Sequence, residues 1–170
     1  MKIVKKIINV ITTIAVILVV LFAILVAGAR LIGFKVYTVL SGSMVPTYNI
    51  GDLIYVKEIN TNELKVGDNI TFMISKDTVA THRIVEIVKN DDNTLSFRTK
   101  GDANEVVDAN LVHSKNVIGR PEFKIPYLGY VSNYIQKPPG MYVAIGGCAL
   151  LLILSFLPDL FSKKDEEVGG

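Results

Sequence analysis

The feature that most constrains this chain is an uncharged stretch near its N-terminal end, from Ile7 to Ala29. A helix needs about 20 predominantly apolar residues to span a bilayer, so the stretch predicts a transmembrane anchor. A cleaved signal peptide is the rival interpretation, because Ala27-Gly28-Ala29 resembles a small-residue cleavage site. The apolar core is longer than the 7–15 residues or so that are usual in signal peptides, which favours a retained anchor.

A second apolar run, Met141 to Pro158, lies near the other end of the sequence. Its length is at the short end of the range of about 17–25 residues for a spanning helix, and Tyr142 is an interfacial residue type. The run predicts a second transmembrane helix, with a buried or re-entrant helix as the alternative. Cys148, within this run, is the only cysteine, so an internal disulfide is excluded.

The lysines predict a topology. Lys2, Lys5 and Lys6 precede the first run, and Lys163 and Lys164 follow the second. Short lysine-rich segments tend to stay in the cytoplasm. We therefore expect a cytoplasmic stub with the anchor over 1–30, an extracytoplasmic domain over 31–139, a second transmembrane helix over 140–158 and a cytoplasmic tail over 159–170. The net charge of +2 suggests no nucleic-acid partner.

The middle of the chain has the pattern of β-structure. Short runs rich in β-branched and aromatic residues are separated by turn signals such as Val66-Gly67-Asp68-Asn69. The predicted strands are Phe34–Leu40, Asp52–Ile59, Asn69–Ser75, Thr78–Val88 and Thr94–Lys100. No helix of useful length is expected between the two apolar runs. The fold class is therefore mainly β: an antiparallel sandwich or open barrel between an N-terminal and a C-terminal transmembrane helix.

Two serines, Ser41 and Ser43, flank Gly42 shortly after the first apolar run. A serine hydroxyl acts as a nucleophile only with a base in hydrogen-bond reach and donors for the oxyanion. Histidine titrates near neutral pH and suits the base. The middle domain offers His82 and His113, and an acid is then needed to orient the ring.

Several residues remain as alternatives at this point. The acid candidates are Asp102, Glu105 and Asp108, and the rival bases are Lys57, Lys76 and Lys100. Taken singly, each of these features is typical of an ordinary turn or strand. Two separated histidines without a cysteine pair lack the spacing of a zinc site, and no glycine-rich phosphate loop is present. We therefore expect neither a metal nor a cofactor.

Five segments in sequence order resemble the conserved boxes of type I signal peptidases. They are "SGSMVPT" (Ser41–Thr47), "KVGDNITF" (Lys65–Phe72), "THRIVEI" (Thr81–Ile87), "TKGDANEVVD" (Thr99–Asp108) and "VIGRPEFKIPYLGYV" (Val117–Val131). The common bacterial enzymes have a lysine where this chain has His82. Histidine at that position is the mark of the endoplasmic-reticulum-type branch, which also occurs in archaea and some Gram-positive bacteria.

The resemblance implies a role for each matched residue. Ser43 matches the nucleophile and His82 the general base. Asp108 matches the acid that usually orients the base, and Asp102 a second acid whose duty is less settled. Ser41 matches the position whose hydroxyl helps to stabilise the oxyanion in the lysine branch, and the backbone N–H of Ser43 is the other expected donor.

The function implied is that of a membrane-bound serine endopeptidase that removes N-terminal signal peptides from exported preproteins. Its partners would be those preproteins, membrane lipid, and further subunits of a processing complex or the export machinery. We expect the cell membrane as its location, with the catalytic domain on the extracytoplasmic side. Two alternatives remain: a dedicated or self-processing membrane peptidase, and a non-catalytic membrane-tethered β-module that binds a partner protein.

The short segment between Ala29 and Ser43 limits how far the nucleophile lies from the bilayer. A chain extends at most about 3.3–3.6 Å per residue. The scissile bonds of membrane-inserted signal peptides lie at the same level. The apolar residues of the serine box and its approach, Val39, Leu40, Met44 and Val45, could contact lipid, line a cleft or fill the core.

Overall fold

A computed structural model describes the backbone of residues 2–167 and the side chains of Ile3 and of residues 6–155. The chain divides into two compact units. One consists of its two ends, and the other is Ala29–Asn133. The first is helical and the second contains all the described strands.

The N-terminal helix, α1, covers Lys2–Ala23 and continues through a π-helical turn at Ile24–Gly28 into a short helix, α2, at Ala29–Leu31. The most apolar 18-residue window of Lys6–Leu31 has a mean hydropathy of 3.2, and only 6% of that window is buried. The hydroxyl of Thr12 donates to the carbonyl of Ile8 at 2.9 Å, so it is satisfied within the helix. By length and composition this helix can cross a membrane, a test that a signal sequence also passes.

Two helices lie toward the other end: α3 at Leu128–Ile135 and α4 at Gly140–Glu167. Among the described residues, Leu128–Ile135 and Gly140–Ser155 satisfy the length and composition of a span only when they are taken together. The predicted second transmembrane helix over 140–158 therefore stays a prediction. In the tail predicted over 159–170, the backbone is helical to Glu167, and its side chains and last three residues lie outside the described part of the chain.

Helix α3 corrects the expectation that no helix lies between the two apolar runs. Its sequence, LGYVSNYI, is rich in β-branched and aromatic residues, which favour strands when taken locally. The amide of Gly129 donates to the carbonyl of Gly51 at 2.9 Å, and Ser132 is buried. Tertiary packing at the start of the helix therefore overrides the local preference.

Seven strands form one sheet in the order β1-β2-β7-β3-β4-β5-β6, and every described pair is antiparallel. The strands are β1 Phe34–Thr38, β2 Leu53–Lys57, β3 Asn69–Ser75, β4 Thr78–Lys89, β5 Leu95–Lys100, β6 Val112–His113 and β7 Val117–Ile125. The mainly β, antiparallel prediction is confirmed, and each predicted strand is present with ends shifted by at most two residues. The sandwich or barrel form stays a prediction.

Strand β7 joins the two halves of the sheet. It pairs with β2 through Arg120–Ile125 and with β3 through Val117 and Gly119. A Cβ at Gly119 would overlap the carbonyl oxygen of Lys57, so only glycine lets the strands approach closely at this junction.

Two apolar clusters fill the β unit, one on each side of this junction. The first is Leu64, Ile70, Phe72, Ile84, Phe97 and Val112. The second is Met44, Tyr48, Ile54 and Val56, with Tyr37, Val39 and Ile118 packed against it. The second cluster therefore includes Met44 of the serine box, whose burial holds that box against the sheet.

Candidate active site

The segment that carries Ser41 and Ser43, residues 39–52, connects β1 to β2 as a loop, here called the serine turn. The amide of Val39 donates to the carbonyl of Asp52, and the amide of Gly51 donates to the carbonyl of Val39, both at 2.9 Å. Met44 is buried in the core, whereas Leu40 and Val45 are exposed. Of the apolar residues in question, Val39 and Met44 thus pack on the protein, and the other two face outward.

The structure brings Ser43, His82 and Asp108 together. The Oγ of Ser43 lies 3.2 Å from the Nε2 of His82, and the Nδ1 of His82 lies 2.6 Å from the Oδ2 of Asp108. The side chains of His82 and Asp108 are only 14% and 26% exposed. Three groups from distant parts of the sequence thus form one hydrogen-bonded chain.

The direction of these hydrogen bonds follows from the chemistry of an ionised Asp108. An ionised carboxylate only accepts, so Nδ1 of His82 carries the proton and donates it to Asp108. Nε2 is then an acceptor, and the hydroxyl of Ser43 donates to it. This is the tautomer that can withdraw a proton from the hydroxyl.

His82 lies on β4, at the end of a segment of that strand with one open edge, and its ring is near an aromatic ring of β3. The ring lies 6.2 Å from the ring of Phe72, at an interplanar angle of 69°. Pairing with β5 begins at Arg83, whereas Thr78–His82 pair only with β3. Within the described residues, the other edge of this short segment has no strand partner.

Ser41 lies next to the nucleophile candidate. Its Oγ is 3.3 Å from the Oγ of Ser43, and because the single hydroxyl proton of Ser43 goes to His82, Ser41 is the donor between them. The carbonyl of Ser43 accepts a hydrogen bond from the amide of Ala103 at 2.8 Å. The acid-bearing segment thus contacts the serine turn directly.

Asp102 does not contact His82 through a described hydrogen bond and pairs with Arg83 instead. The Nε of Arg83 donates to its Oδ1 and a terminal nitrogen to its Oδ2, both at 2.7 Å. The hydroxyl of Thr47 donates to the same Oδ2 at 2.5 Å. These hydrogen bonds, first of all those from Arg83, hold the pKa of Asp102 below its ordinary value, and the same pairing raises the pKa of Arg83.

Arg83 connects three of the segments that build the site. Besides Asp102, it donates to the carbonyl of Gly67 at 2.7 Å and to the hydroxyl of Thr47 at 3.3 Å. Asp102 is therefore part of a brace between the serine turn, β4 and the acid segment. Gly101 allows the acid segment to approach the serine turn closely, because a Cβ at this position would lie 2.6 Å from the carbonyl oxygen of Ser43.

A groove of about 600 Å³ opens onto both serines and His82. Its walls come from the serine turn with the residues before it and from the edge of β4 that has no strand partner in the described sheet. The apolar side chains that line it include Val39, Leu40, Met44, Ile54, Val79 and Ala80. A second cavity, of about 280 Å³, is lined by His82, Thr99 and Asp108 together with apolar residues from β3 and the acid segment. The site thus has room for an extended peptide beside the reactive groups.

The other candidates do not contact Ser43 in the described part of the chain. Nδ1 of His113 accepts from the amide of Lys115 at 3.1 Å, and its Nε2 lies 3.2 Å from the hydroxyl of Thr94. Glu105 is exposed. None of the described hydrogen bonds joins Ser43 to Lys57, Lys76 or Lys100, and no group of three or more metal-ligating side chains was found among the described residues.

Sequence reasoning missed three residues that support the site: Thr47, Arg83 and Thr99. Thr47 and Arg83 form the brace around Asp102, and the hydroxyl of Thr99 donates to the Oδ2 of Asp108 at 2.6 Å. In the sequence, the signal for Arg83 and Thr99 was their position: Arg83 follows His82 directly, and Thr99 is the first residue of the acid-bearing box. Nothing in the spacing predicts their contacts.

Comparison with known proteins agrees with this geometry. A family model described as signal peptidase, peptidase S26, matches residues 9–126. The chain is similar to signal peptidase I W of Bacillus subtilis, with 51% identity over 86 residues, which cover 50% of this chain and 45% of that protein. It is also similar to the signal peptidase complex catalytic subunit SEC11C of Rattus norvegicus, with 32% identity over 152 residues, 77% of this chain and 79% of that one.

Proposed function

The chain belongs to the signal peptidase family, peptidase S26, and on that premise we propose that it is a membrane-bound serine endopeptidase that removes N-terminal signal peptides from exported preproteins. The single observation that supports the chemistry is the hydrogen-bonded chain from Ser43 through His82 to Asp108, with distances of 3.2 and 2.6 Å. In this proposal Ser43 is the nucleophile, His82 the general base and Asp108 the acid that orients the ring.

The reaction proceeds in two halves. In acylation, His82 takes the proton of Ser43 while its Oγ attacks the scissile carbonyl carbon, and the ring then gives that proton to the leaving amine. In deacylation, His82 takes a proton from water, which attacks the acyl carbon, and the ring then returns that proton to the Oγ of Ser43 as the signal peptide is released. Asp108 holds the ring in the required tautomer and stabilises the imidazolium that forms in each half.

The oxyanion needs donors aimed at the position where its charge develops. We assign this role to the hydroxyl of Ser41 and the backbone N–H of Ser43. The 3.3 Å between the two hydroxyl oxygens supports the assignment, because it lets Ser41 reach an oxygen bound to the carbon that Ser43 attacks. Asp102 has no chemical step of its own and stabilises the serine turn through Arg83 and Thr47.

The preprotein binds as an added strand. The segment Thr78–His82 has an unpaired edge in the described sheet, and an extended peptide can pair with such an edge while its alternate side chains enter pockets. The apolar groove beside Ser43 accepts the small residues that precede the cut. The catalytic domain lies on the extracytoplasmic side of the cell membrane, anchored by the N-terminal helix and by a second span over 140–158.

Two other functions remain to be separated from this one. A dedicated or self-processing peptidase would use the same residues, and Ala27-Gly28-Ala29 would be its own cleavage site. N-terminal sequencing of the membrane-purified chain tests self-processing, because cleavage there would remove the first apolar run. A non-catalytic β-module would have no need of hydrogen bonds joining Ser43, His82 and Asp108, which favour the peptidase. Catalysis within a complex of further subunits is compatible with the same chemistry.

The decisive experiment is a cleavage assay with the full chain in detergent or lipid. Wild type and Ser43→Ala are each mixed with a secretory preprotein, and Ser75→Ala, which alters an exposed serine of β3, is the matched control. We expect product from wild type and the control, and none above background from Ser43→Ala. Equal product from wild type and Ser43→Ala would refute the proposal.

A further inference from the structure

Thr99 contacts Asp108 at two points. Its hydroxyl donates to the Oδ2 of Asp108 at 2.6 Å, and its carbonyl accepts from the amide of Asp108 at 2.8 Å. Thr99 lies on β5, opposite Ile84 of β4, and is fully buried. Because β4 also carries His82, paired strands hold both partners of the Asp108 carboxylate.

The segment that carries Asp108 has little regular structure of its own. It runs from the end of β5 at Lys100 to β6 at Val112 without a helix or strand, and the Asp108 side chain remains 26% exposed. A carboxylate held only by the imidazole could rotate about its side-chain bonds. The hydroxyl of Thr99 donates to Oδ2 of Asp108, the same oxygen that His82 contacts. This second hydrogen bond restricts rotation of the carboxylate and keeps it in the orientation that the ring requires.

We propose that Thr99 is a positioning residue for the proposed peptidase reaction, acting through Asp108 as a fourth member of the Ser43–His82–Asp108 chain. The proposal rests on the proposed function of the site. None of the described hydrogen bonds joins Thr99 to Ser43, and its described side-chain hydrogen bond is to Asp108. Its hydrogen bond to Asp108 raises the fraction of molecules in which the His82 ring is oriented to take the proton of Ser43.

A purely structural role makes a different prediction. A buried threonine in a strand contributes β-propensity and fills space, and valine supplies both equally well. Thr99→Val therefore removes the donor and keeps the shape, whereas Thr99→Ser keeps the donor and loses one methyl group. A positioning role predicts impairment by the first variant and recovery in the second, and a packing role predicts the reverse.

The test measures kcat and KM of the full chain in detergent with a signal-peptide substrate. We expect Thr99→Val to lower kcat by about 10- to 100-fold, as for the outer hydrogen-bond partners of metal-bound histidines, with KM within about twofold. Thr99→Ser should recover most of the kcat. In an Asp108→Asn background, Thr99→Val should cause no further loss, because its effect passes through that carboxylate.

Two results would overturn the inference: a folded Thr99→Val enzyme that keeps the wild-type kcat, or an equal loss in the presence and absence of the Asp108 carboxylate. Circular dichroism checks folding. If Thr99→Val does not fold, Thr99→Cys takes its place, and a kcat equal to that of wild type would then refute the role, because a thiol is a weak donor.

The rate at which a fluorophosphonate labels Ser43 separates this inference from the function it rests on. Labelling reports on activation of the hydroxyl and needs no peptide substrate. If wild type cleaves no preprotein, the proposed function fails, and the Thr99 role is still judged by whether Thr99→Val slows labelling. If Ser43→Ala abolishes cleavage and Thr99→Val leaves both cleavage and labelling unchanged, only the Thr99 inference fails.

Discussion

Two aspartates from one box have different surroundings. Asp108 accepts from His82 and Thr99, and Asp102 accepts from Arg83 and Thr47. In the proposed mechanism, the first carboxylate stabilises an imidazolium that exists only during the reaction. The second compensates a guanidinium that is always charged. The two carboxylates should therefore affect different quantities when they are removed.

Asp108→Asn should lower kcat by about 10⁴-fold with KM little changed. An amide at this position can donate to Nδ1 and so favour the wrong ring tautomer, as in the serine protease for which this loss is known. The measurement is steady-state cleavage of a signal-peptide substrate. His113→Ala is the control and should retain wild-type turnover, because the described contacts of His113 are with Thr94 and Lys115.

His82→Ala should lower kcat at least as much, because it removes the base itself. A His82→Ala enzyme with unchanged cleavage would exclude the histidine from the mechanism. The rival lysines would then be tested in turn, by methionine substitution of Lys57, Lys76 and Lys100.

Asp102→Asn should lower stability at neutral pH, by about 1–3 kcal/mol, as for the loss of a hydrogen-bonded charge. Because the pKa of Asp102 is lowered in the folded protein from its ordinary value of 3.8, the carboxylate stabilises the fold above that pH. The contribution is lost as the pH falls through the lowered value. The Tm difference between wild type and variant should thus be largest near pH 7 and shrink toward pH 3.

Circular dichroism of the full chain in detergent measures these Tm values. Asp77→Asn, in the exposed turn between β3 and β4, is the control and should leave the Tm unchanged. A Tm difference for Asp102→Asn that stays constant down to pH 3 would contradict the role of its ionised form.

At the scale of elements, the serine turn depends on a contact across the sheet. The Nζ of Lys124, on β7, lies 2.9 Å from the Oδ2 of Asp52 and donates to the carbonyl of Thr47 at 2.9 Å. Asp52 is 2% exposed, and its Oδ2 also accepts from the amide of Asn49. One lysine therefore joins β7 to two points of the turn that carries Ser43, both on the C-terminal side of Ser43.

Lys124→Met should destabilise the protein by about 2 kcal/mol or more and also lower kcat. The change leaves a buried carboxylate without its cation, and the partial exposure of Lys124 keeps the loss below the 3–5 kcal/mol or so of a fully buried pair. The measurements are the Tm in detergent and the cleavage rate well below the Tm. Lys89→Met, at an exposed position of β4, is the control. Equal Tm values for the two variants would show that Lys124 does not hold the turn.

At the scale of the whole molecule, the chain path ties the β unit to the apolar N-terminal helix. That helix runs to Leu31, and β1 begins at Phe34. Few residues then separate β1 from Ser43, each adding at most about 3.3–3.6 Å. If the first helix spans the bilayer, as we propose, the reactive hydroxyl has to work close to the membrane surface.

Labelling with a membrane-impermeant maleimide tests the proposed topology. In a Cys148→Ser background, a cysteine introduced by Lys76→Cys, in the exposed turn after β3, should react in right-side-out membrane vesicles. A cysteine introduced by Lys6→Cys, near the start of α1, should react only after the membrane is opened. The reverse pattern would place the β unit on the cytoplasmic side and contradict the proposed location.

The sequence by itself determined the features that depend on local composition. The uncharged stretch from Ile7 to Ala29 indicates an apolar helix, because each residue contributes to the pattern independently of the rest of the fold. Alternating β-branched residues likewise indicate strands such as β3 and β4. The order of the matched boxes predicted Ser43 and His82 as partners among all the serines, histidines and lysines of the middle domain, and these two side chains lie within hydrogen-bond distance.

Only the tertiary structure decided which acid faces the histidine. Asp102 and Asp108 lie in one segment without helix or strand periodicity, so their spacing says nothing about the direction of either side chain. Long-range contacts place them: Arg83 on β4 takes one and Thr99 on β5 helps to hold the other. Helix α3 was missed for the same reason, since its strand-like residues adopt a helix that packs by Gly129 on the backbone before β2. Contacts between residues far apart in the chain depend on the path of the whole backbone, which no local pattern records.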